Sequence, residues 1–437
     1  MLSSASKKRL RKIISLAVPS GINSLLDIVA IAINMLFMSS ISDSHTLAMG
    51  LSLNFLMIFY AFNAIFSVGT NVQISHYFGA GEQIKIKEVF SSIVQGSLVV
   101  SIPLIFIGIY SAEFFFNWMG IYGEVRHLAL NFSNYIVLTL PALILKNIFI
   151  AALAAVGNTL YPLIVRIISI IISVALTYIL VFGYNLDMEG AGIAYLATGY
   201  LELIIFFLMF FIKKIFSNFL VFKKEYLLNM FRIGIPAGIE RFLTLSSLIL
   251  ITKIVSSYSD LVLTGAQIGN RIEAFSFMPS FGFMLAAMVL MGQNLGARKV
   301  EEAKIYIKTI LGFSSCIMGI SSILLITFAK YFSSLFSSNG EIIATSAYYL
   351  VAVGLSQIPL IWVFVLDGAL RGAGNTKTAL CVNVVSIWFF RILPMFLLAK
   401  MQFPITWIFG IICIETYIRA YIFWIIFKRG RWENFRV

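Results

Sequence analysis

Twelve apolar runs, each long enough to cross a lipid bilayer, constrain this chain more than any other feature of its sequence. A helix needs about 20 apolar residues to cross the hydrocarbon core, and lipid-embedded backbone groups must be hydrogen-bonded within the protein. We therefore predict an all-α integral membrane protein with twelve transmembrane helices. The predicted spans are 13–39, 47–74, 89–111, 129–155, 160–183, 190–212, 229–254, 262–290, 305–329, 344–370, 377–399 and 405–427.

The composition supports this class and excludes several others. Hydrophobic residues make up 60% of the chain and charged residues 12%, and a soluble protein of 437 residues could not cover so much apolar surface. The three cysteines lie in apolar runs and the three histidines are scattered, so we predict no disulfide framework and no metal site. The basic N-terminus lacks a small-residue cleavage site, so we interpret the first run as a retained span.

Lysine and arginine are concentrated in alternate loops. Basic loops of membrane proteins stay on the cytoplasmic side, so we expect both termini there. We interpret the net charge of +13 as this topology signal, with some contact to anionic lipid and no nucleic-acid partner. The basic clusters contain Lys7, Lys8, Arg9, Arg11, Lys12, Lys85, Lys87, Lys213, Lys214, Lys223, Lys224, Arg298, Lys299, Lys304, Lys428, Arg429, Arg431 and Arg436.

The chain also repeats itself at a constant offset of 217 residues. Three matched segments place Pro19 on Pro236, Gly79 on Gly296 and Gly157 on Gly374 without a gap. Because six spans lie in each half, both halves enter the membrane from the same side, which is a transporter architecture.

The repeat predicts two pseudo-symmetric six-helix lobes. We expect an N-terminal lobe at 1–212, a cytoplasmic linker at 213–228 and a C-terminal lobe at 229–437.

Five short motifs occur in a specific order along these spans, and at them the sequence resembles the multidrug and toxic compound extrusion (MATE) family over essentially its whole length. The motifs are "AAVGNT" (Ala154 to Thr159), "GAGIAYLAT" (Gly190 to Thr198), "FSFMP" (Phe275 to Pro279), "GQNLGA" (Gly292 to Ala297) and "LRGAGNT" (Leu370 to Thr376). We interpret the Gly-Asn-Thr turns as loop geometry, in which glycine permits a tight return and Asn or Thr caps the next helix.

The resemblance implies a multi-pass exporter of amphipathic, often cationic compounds in a bacterial or archaeal cytoplasmic membrane. It implies export in exchange for protons or sodium, with no cofactor, and we expect a monomer. No HExxH, GxSxG or P-loop motif is found in the sequence, so we do not expect an enzyme or direct use of ATP.

Six acidic residues fall within the predicted spans, and intramembrane acids are usually functional. Glu415 has a structural explanation, and Asp367 and Glu202 are secondary candidates for carrying the coupling ion. Glu415 and Asp367 each have an arginine four residues later, at the spacing of an intrahelical ion pair, although Asp367 also adjoins the "LRGAGNT" motif. Glu202 has no local partner, and a basic residue on another helix, such as Arg166, could pair with it.

Asp27, Glu240 and Glu273 are the stronger candidates for carrying the coupling ion. Asp27 has no basic residue within a turn of helix, and the neighbouring arginines of Glu240 and Glu273 point to other helix faces. The competing interpretation is an interhelical ion pair with a distant basic residue. The residues considered for that pair are Lys146, Arg166, Lys253 and Arg391.

The chain departs from the pattern of the family at its expected N-lobe cation site. Many bacterial and archaeal members of the family carry an acid in the first span at the position of Asn34, and the usual Asn and Asp of the fifth span fall at Ser173 and Thr177. The threonine of the sixth span is kept as Thr198. Asp27 precedes Asn34 by seven residues and shares its helix face, so we hypothesise proton coupling through Asp27 with Glu240 and Glu273.

Two alternatives to an ion-coupled exporter remain at the level of sequence. A lipid-linked sugar or peptidoglycan-precursor flippase would need several basic residues around its cavity, and the first half offers chiefly Lys146 and Arg166. A membrane scaffold without transport activity is the second alternative.

Overall fold

A computed structural model describes residues 4–213 and 221–434 of the chain, and the described residues fold almost entirely into helices. The predicted linker 213–228 is described only in part, because 214–220 lie outside these ranges, and helix α8 begins inside it at Lys224. The helices of the first half are α1 Ser4–Ser39, α2 Asp43–Gly79, α3 Gln83–Trp118, α4 Gly123–Leu138, α5 Leu140–Ala155, α6 Leu160–Tyr178 and α7 Asp187–Lys213. Those that follow are α8 Lys224–Ser256, α9 Asp260–Gly296, α10 Val300–Thr327, α11 Ala329–Ser334, α12 Gly340–Leu355, α13 Gln357–Gly372, α14 Thr376–Val385, α15 Leu393–Lys400 and α16 Ile405–Lys428.

The described helices confirm the predicted membrane spans. Ten of them are long and apolar enough to cross a bilayer, and the number rises to twelve if each of two bent helix pairs counts as one span. The fifth and eleventh spans each contain a π-helical segment, Ile179–Gly183 after α6 and Ser386–Ile392 between α14 and α15. The chain is therefore a multi-pass membrane protein.

The fourth and tenth predicted spans are not single straight helices. Helices α4 and α5 meet at Thr139 with a bend of 46°, and α12 and α13 meet at Ser356 with a bend of 54°. The second helix of each pair carries a proline in its first turn, Pro141 or Pro359, and proline has no N–H to continue the hydrogen bonds of the preceding helix.

The helices group into two compact units. The first unit is Ile22–Gly238, and the second unit combines Met1–Gly21 with Ile239–Val437. Helices α1 and α8 each cross a unit boundary. Compared with the predicted lobes, the first part of α1 therefore belongs to the second unit, and the first part of α8 belongs to the first unit.

The sequence repeat has a direct structural counterpart inside each unit. Ser42 and Ser259 occupy matched positions, and each hydroxyl caps its helix by accepting a hydrogen bond from the amide three residues later. Gly157 and Gly374 are likewise matched and adopt left-handed φ values of 94° and 83°. The matched turns and caps confirm that both halves of the chain use one local fold.

The Gly-Asn-Thr turns follow the predicted geometry only in part. The side chain of Asn158 accepts a hydrogen bond from the amide of Tyr161 at 3.2 Å, as a cap should. Asn375 makes no such bond to the helix that follows it, so the cap predicted there is wrong. The side chain of Asn375 is nevertheless buried.

Each unit has its own core. In the first unit, Phe149 contacts the rings of Phe90 and Phe210, with centroids 5.1 and 4.6 Å apart. In the second unit, α13 packs on α9 through Gly368 and Gly372, where a Cβ would collide with the carbonyl oxygens of Met284 and Met288. These close contacts hold the helices that carry the polar residues described below.

Candidate functional site

A cavity of about 140 Å³ with apolar, polar and charged lining residues lies inside the first unit. Helices α1, α2, α5, α6 and α7 contribute its walls. Its charged residues are Asp27, Lys146, Arg166 and Glu202. Two acids and two bases therefore face one small space, and their formal charges cancel.

Asp27 forms an ion pair with Arg166 across this cavity. Its Oδ1 lies 2.5 Å from Nη2 of Arg166 on α6. The Asp27 side chain is 53% exposed, whereas that of Arg166 is 18% exposed. The interhelical ion pair considered as the competing interpretation of Asp27 is therefore present, and its acid lies at the open edge of the cavity.

Glu202 is the buried acid of the cavity. Its Oε2 lies 3.0 Å from Nζ of Lys146 and 3.3 Å from Nη1 of Arg166, and its side chain is only 2% exposed. The pairing with Arg166 is one that the sequence suggested. A carboxylate at this depth is stable as an ion because two cations and their hydrogen bonds compensate its desolvation.

Arg166 connects the two acids. One of its terminal nitrogens contacts Asp27 and the other contacts Glu202, so the four charged side chains form a row from Asp27 through Arg166 and Glu202 to Lys146. The Asp27 end of the row is half exposed, whereas the Glu202 end is buried, where an unpaired charge would be costly. The row therefore has one half-exposed acid and one buried acid.

Three of the four neutral residues at the expected cation site line the same cavity. Asn34, Ser173 and Thr198 are found in its walls, whereas the buried Thr177 is not. The Asn34 amide donates to the carbonyl of Ala30 at 2.8 Å, and the Thr198 hydroxyl donates to the carbonyl of Ala194 at 2.6 Å. Asp27 and Asn34 thus share a helix face, as predicted, while part of the hydrogen-bonding capacity of Asn34 and Thr198 is used within their own helices.

Glu240 is held in a separate network in the second unit. Its Oε2 accepts a hydrogen bond from Nη2 of Arg371 at 2.6 Å, and its Oε1 accepts one from the amide of Asn383 at 2.8 Å. The expected pair of Asp367 with Arg371 is confirmed, with Nε of Arg371 2.8 Å from Oδ2. Arg371 was not among the basic partners considered for Glu240 from the sequence.

Glu273 has a different environment from the other acids. Tyr349 donates its hydroxyl hydrogen to Oε2 of Glu273 at 2.6 Å, and the same hydroxyl accepts from the amide of Asn270 at 3.2 Å. The partner of this carboxylate is thus a neutral phenol, held in place by α9 and α12.

Glu415 has the structural role that the sequence indicated. The predicted pair with Arg419 is present at 3.1 Å, and the side chain of Glu415 is fully buried. Arg391 forms a second ion pair with the same carboxylate, and the Ser386 hydroxyl donates to it at 2.6 Å. Two cations and a hydroxyl leave this acid little freedom.

Arg371 and Asn383 were not predicted as partners of Glu240. The repeat gives no signal for Arg371, because its matched position is the apolar Ala154. Asn383 occupies the position matched to Arg166, and Glu240 the position matched to Asn23, but Asn23 takes no part in the ion pairs of Arg166. The two units therefore carry interhelical polar networks that differ in their residues and in their pairing.

Comparison with known proteins covers most of the chain. The family model described as MatE matches residues 19–179 and 236–397, one segment in each half. The chain is similar to the multidrug export protein MepA of Staphylococcus saprophyticus, with 23% identity in an alignment of length 383 that covers 85% of this chain and 84% of MepA. It is also similar to a probable multidrug resistance protein NorM of Thermotoga maritima, with 25% identity over 84% of this chain and 81% of NorM.

Solved structures show the same fold. The structure of the Vibrio cholerae MATE transporter VcmN in its bent form aligns with this chain at a TM-score of 0.93 and 16% sequence identity, over 99% of both chains. A multidrug resistance MATE family transporter of the MOP superfamily in an outward-facing conformation gives a TM-score of 0.89 at 16% identity, over 98% of this chain and 97% of that one.

Proposed function

This chain belongs to the MATE family of transporters, and from that premise we propose that it exports small amphipathic compounds in exchange for protons. Two relatives are named as multidrug export or resistance proteins, which supports small-molecule export. The proposed cycle is alternating access, in which the binding site opens to one side of the membrane at a time and needs no cofactor.

The observation that carries this proposal is the exposed carboxylate of Asp27 beside Arg166. A coupling acid must reach water to receive its proton, and it must contact the residues that bind the substrate. Asp27 lines the cavity of the first unit with a half-exposed side chain, and we propose that water reaches it there. Arg166 also pairs with Glu202, so protonation of Asp27 does not leave the guanidinium without a carboxylate.

Competition for Asp27 would couple the two flows. A cationic group of a substrate and a proton both need the Asp27 carboxylate, so they bind to it alternately. When a proton neutralises Asp27, the cation loses its partner and dissociates, while Arg166 stays paired with Glu202. Mutual exclusion of this kind produces exchange, and it is the reason why we propose cationic amphipathic substrates.

We propose Glu273 as a second proton site and assign Glu240 a smaller part in coupling. The hydroxyl of Tyr349 that contacts Glu273 is neutral, so taking up a proton there breaks no ion pair. Protonation of Glu240 would leave the buried guanidinium of Arg371 with only one of its two acids. The three residues remain the candidate coupling acids, in the order Asp27, Glu273 and Glu240.

The flippase alternative finds less support in the cavity of the first unit. Lys146 and Arg166 both line it, but each contacts a carboxylate of the chain itself. A diphosphate would therefore have to displace Asp27 and Glu202 from these cations. We propose that the protein is a monomer in a bacterial or archaeal cytoplasmic membrane. We place both termini in the cytoplasm, because basic residues flank the first and last spans.

Gradient-driven dye movement in proteoliposomes tests the proposal. Purified protein is reconstituted, a fluorescent cationic dye is supplied, and a pH gradient or a sodium gradient is imposed separately. We expect dye movement under the pH gradient and none above empty vesicles under the sodium gradient. Movement driven by sodium alone would contradict proton coupling, and no movement under either gradient would contradict ion-driven export of this dye.

A further inference from the structure

The guanidinium of Arg166 has a hydrogen-bonding edge that is only half used. Nη2 contacts Asp27 and Nη1 contacts Glu202, but Nε is buried and has no hydrogen-bond partner. Nε–H and Nη2–H point the same way and together bind a carboxylate through two parallel hydrogen bonds. Arg9 shows the complete arrangement in this chain, where Nε and Nη2 donate to the two oxygens of Glu302 at 2.8 and 3.0 Å.

Other polar atoms in the same cavity also lack a partner. Ser169, one turn after Arg166 on α6, is 2% exposed, and its hydroxyl makes no hydrogen bond. The side-chain oxygens of Asn23 and Asn63 are likewise buried and without a partner. All three residues line the cavity, and a buried polar group is costly unless a ligand or water supplies its partner. These atoms indicate a site built for a polar ligand.

A substrate with only a cationic group would leave hydrogen-bond donors of this site without acceptors. If its cation paired with Asp27, Nη2 of Arg166 would lose its acceptor, and Nε would still have none. A ligand oxyanion restores both hydrogen bonds.

We propose that the cavity of the first unit binds amphipathic zwitterions, whose acidic group occupies the Nε and Nη2 edge of Arg166 while their cationic group takes Asp27. This inference rests on the proposed function, since Asp27 is the acid that the proton and the substrate share. The formal charges of Asp27, Lys146, Arg166 and Glu202 already cancel, so a ligand without net charge adds none to the cavity. An oxyanion can also accept the hydroxyl hydrogen of Ser169.

The second unit has no equivalent arginine at this position. Asn383 stands at the position matched to Arg166, and its amide is engaged with Glu240 at 2.8 Å and Asp367 at 3.3 Å. The proposed recognition of an acidic group is therefore a property of the first unit, and Arg166 is the residue that determines it.

Two dyes of nearly equal size test the inference, because rhodamine B carries a carboxylate that its ethyl ester lacks. Binding of each dye to detergent-purified protein is measured by fluorescence anisotropy at neutral pH, without any gradient. We expect the free acid to bind about tenfold more tightly than the ester, as charge-assisted hydrogen bonds predict.

Arg166→Lys keeps the positive charge but removes the pair of parallel N–H donors that binds a carboxylate through both of its oxygens. We expect the preference for the free acid to disappear in this variant. The matched control is Arg126→Lys, which alters an exposed ion pair with Glu113 in the same unit and should keep the preference. Ser169→Ala, a smaller change, should reduce the preference severalfold and serves if Arg166→Lys fails to fold.

Equal binding of acid and ester by the unaltered protein would overturn the inference, and so would an unchanged preference in Arg166→Lys or in both variants. Because this measurement uses no gradient, it is separate from the test of export. A preference for the acid together with absent gradient-driven transport would contradict only the proposed function.

Discussion

The guanidinium of Arg371 lies between two acids, with Nη2 2.6 Å from Oε2 of Glu240 and Nε 2.8 Å from Oδ2 of Asp367. The acid on its own helix is four residues away, and the other is 131 residues away in the sequence. One side chain therefore ties α8 to α13, and all three charged side chains are largely buried. Removal of the arginine would leave two buried carboxylates without a cation.

We expect Arg371→Met to destabilise the protein by about 3–5 kcal/mol, which is typical when one member of a buried ion pair is lost. Neutralising the two acids as well tests whether their unpaired negative charges cause this loss of stability. The triple variant Arg371→Met with Glu240→Gln and Asp367→Asn should recover much of the stability. Thermal unfolding midpoints in detergent report both effects, and a triple variant as unstable as the single one would contradict this account.

Glu202→Gln should also be strongly destabilising. The substitution leaves Lys146 without its carboxylate in a buried position, so we expect a loss of about 3 kcal/mol. Glu113→Gln is the matched control, because Glu113 pairs with Arg126 but its side chain is 66% exposed. Unfolding midpoints that fall equally in both variants would show that burial of the pair does not matter.

Asp27→Asn should abolish movement of a cationic dye driven by a pH gradient, down to the level of empty vesicles. The amide cannot take up a proton, although it keeps the size of the side chain. Asp43→Asn serves as the control, because Asp43 is an exposed acid at the start of α2, and this variant should transport normally. Dye efflux is measured after equal reconstitution of both proteins. Normal gradient-driven efflux by Asp27→Asn would exclude Asp27 as the coupling acid.

Glu273→Gln tests the second proposed proton site. The amide oxygen can still accept the hydrogen bond from Tyr349, so the fold should be kept while proton uptake is lost. We expect gradient-driven efflux to fall at least severalfold, whereas Tyr349→Phe, which removes the hydrogen bond and keeps the acid, should retain transport. If the amides of Asp27 and Glu273 both export normally, the hypothesis of proton coupling through these acids is wrong.

Gly368→Ala should lower stability more than any alanine substitution in an open helix position. Its Cβ would collide with the backbone carbonyl of Met284 on α9, and a backbone atom cannot move aside as a flexible side chain can. Gly312 in α10 has no atom within 4 Å of the same position, so Gly312→Ala should be neutral or stabilising by up to about 1 kcal/mol. Unfolding midpoints of the two variants should shift in opposite directions or differ clearly.

Apolar run length and the constant offset were sufficient to predict the helices and the repeat. The local ion pairs at Asp367 and Glu415 also followed from spacing alone, because residues four apart share one face of a helix. The prediction that Asp27 and Asn34 face the same space rested on the same periodicity, and both line the cavity.

Contacts between distant helices could not be derived in this way. Spacing assigned Arg371 to Asp367 and gave no indication that the same guanidinium reaches Glu240. The competing interpretation of Asp27 included Arg166 among several possible partners, and only the observed ion pair between α1 and α6 selects it. The bends at Thr139 and Ser356 were missed because run length counts residues and does not register a change of direction.

Each bend is secured by a tyrosine from the last helix of its half. Tyr200 donates to the carbonyl of Leu138 at 3.0 Å, and Tyr417 donates to the carbonyl of Leu355 at 2.9 Å, so both supply a hydrogen bond where the helix is interrupted. The two tyrosines are matched at the offset of the repeat. A six-helix ancestor that duplicated would have passed this bend and its phenol to both descendants. Arg166 and Asn383, which differ at another matched pair, would then record how the two copies diverged in chemistry after their architecture was already settled.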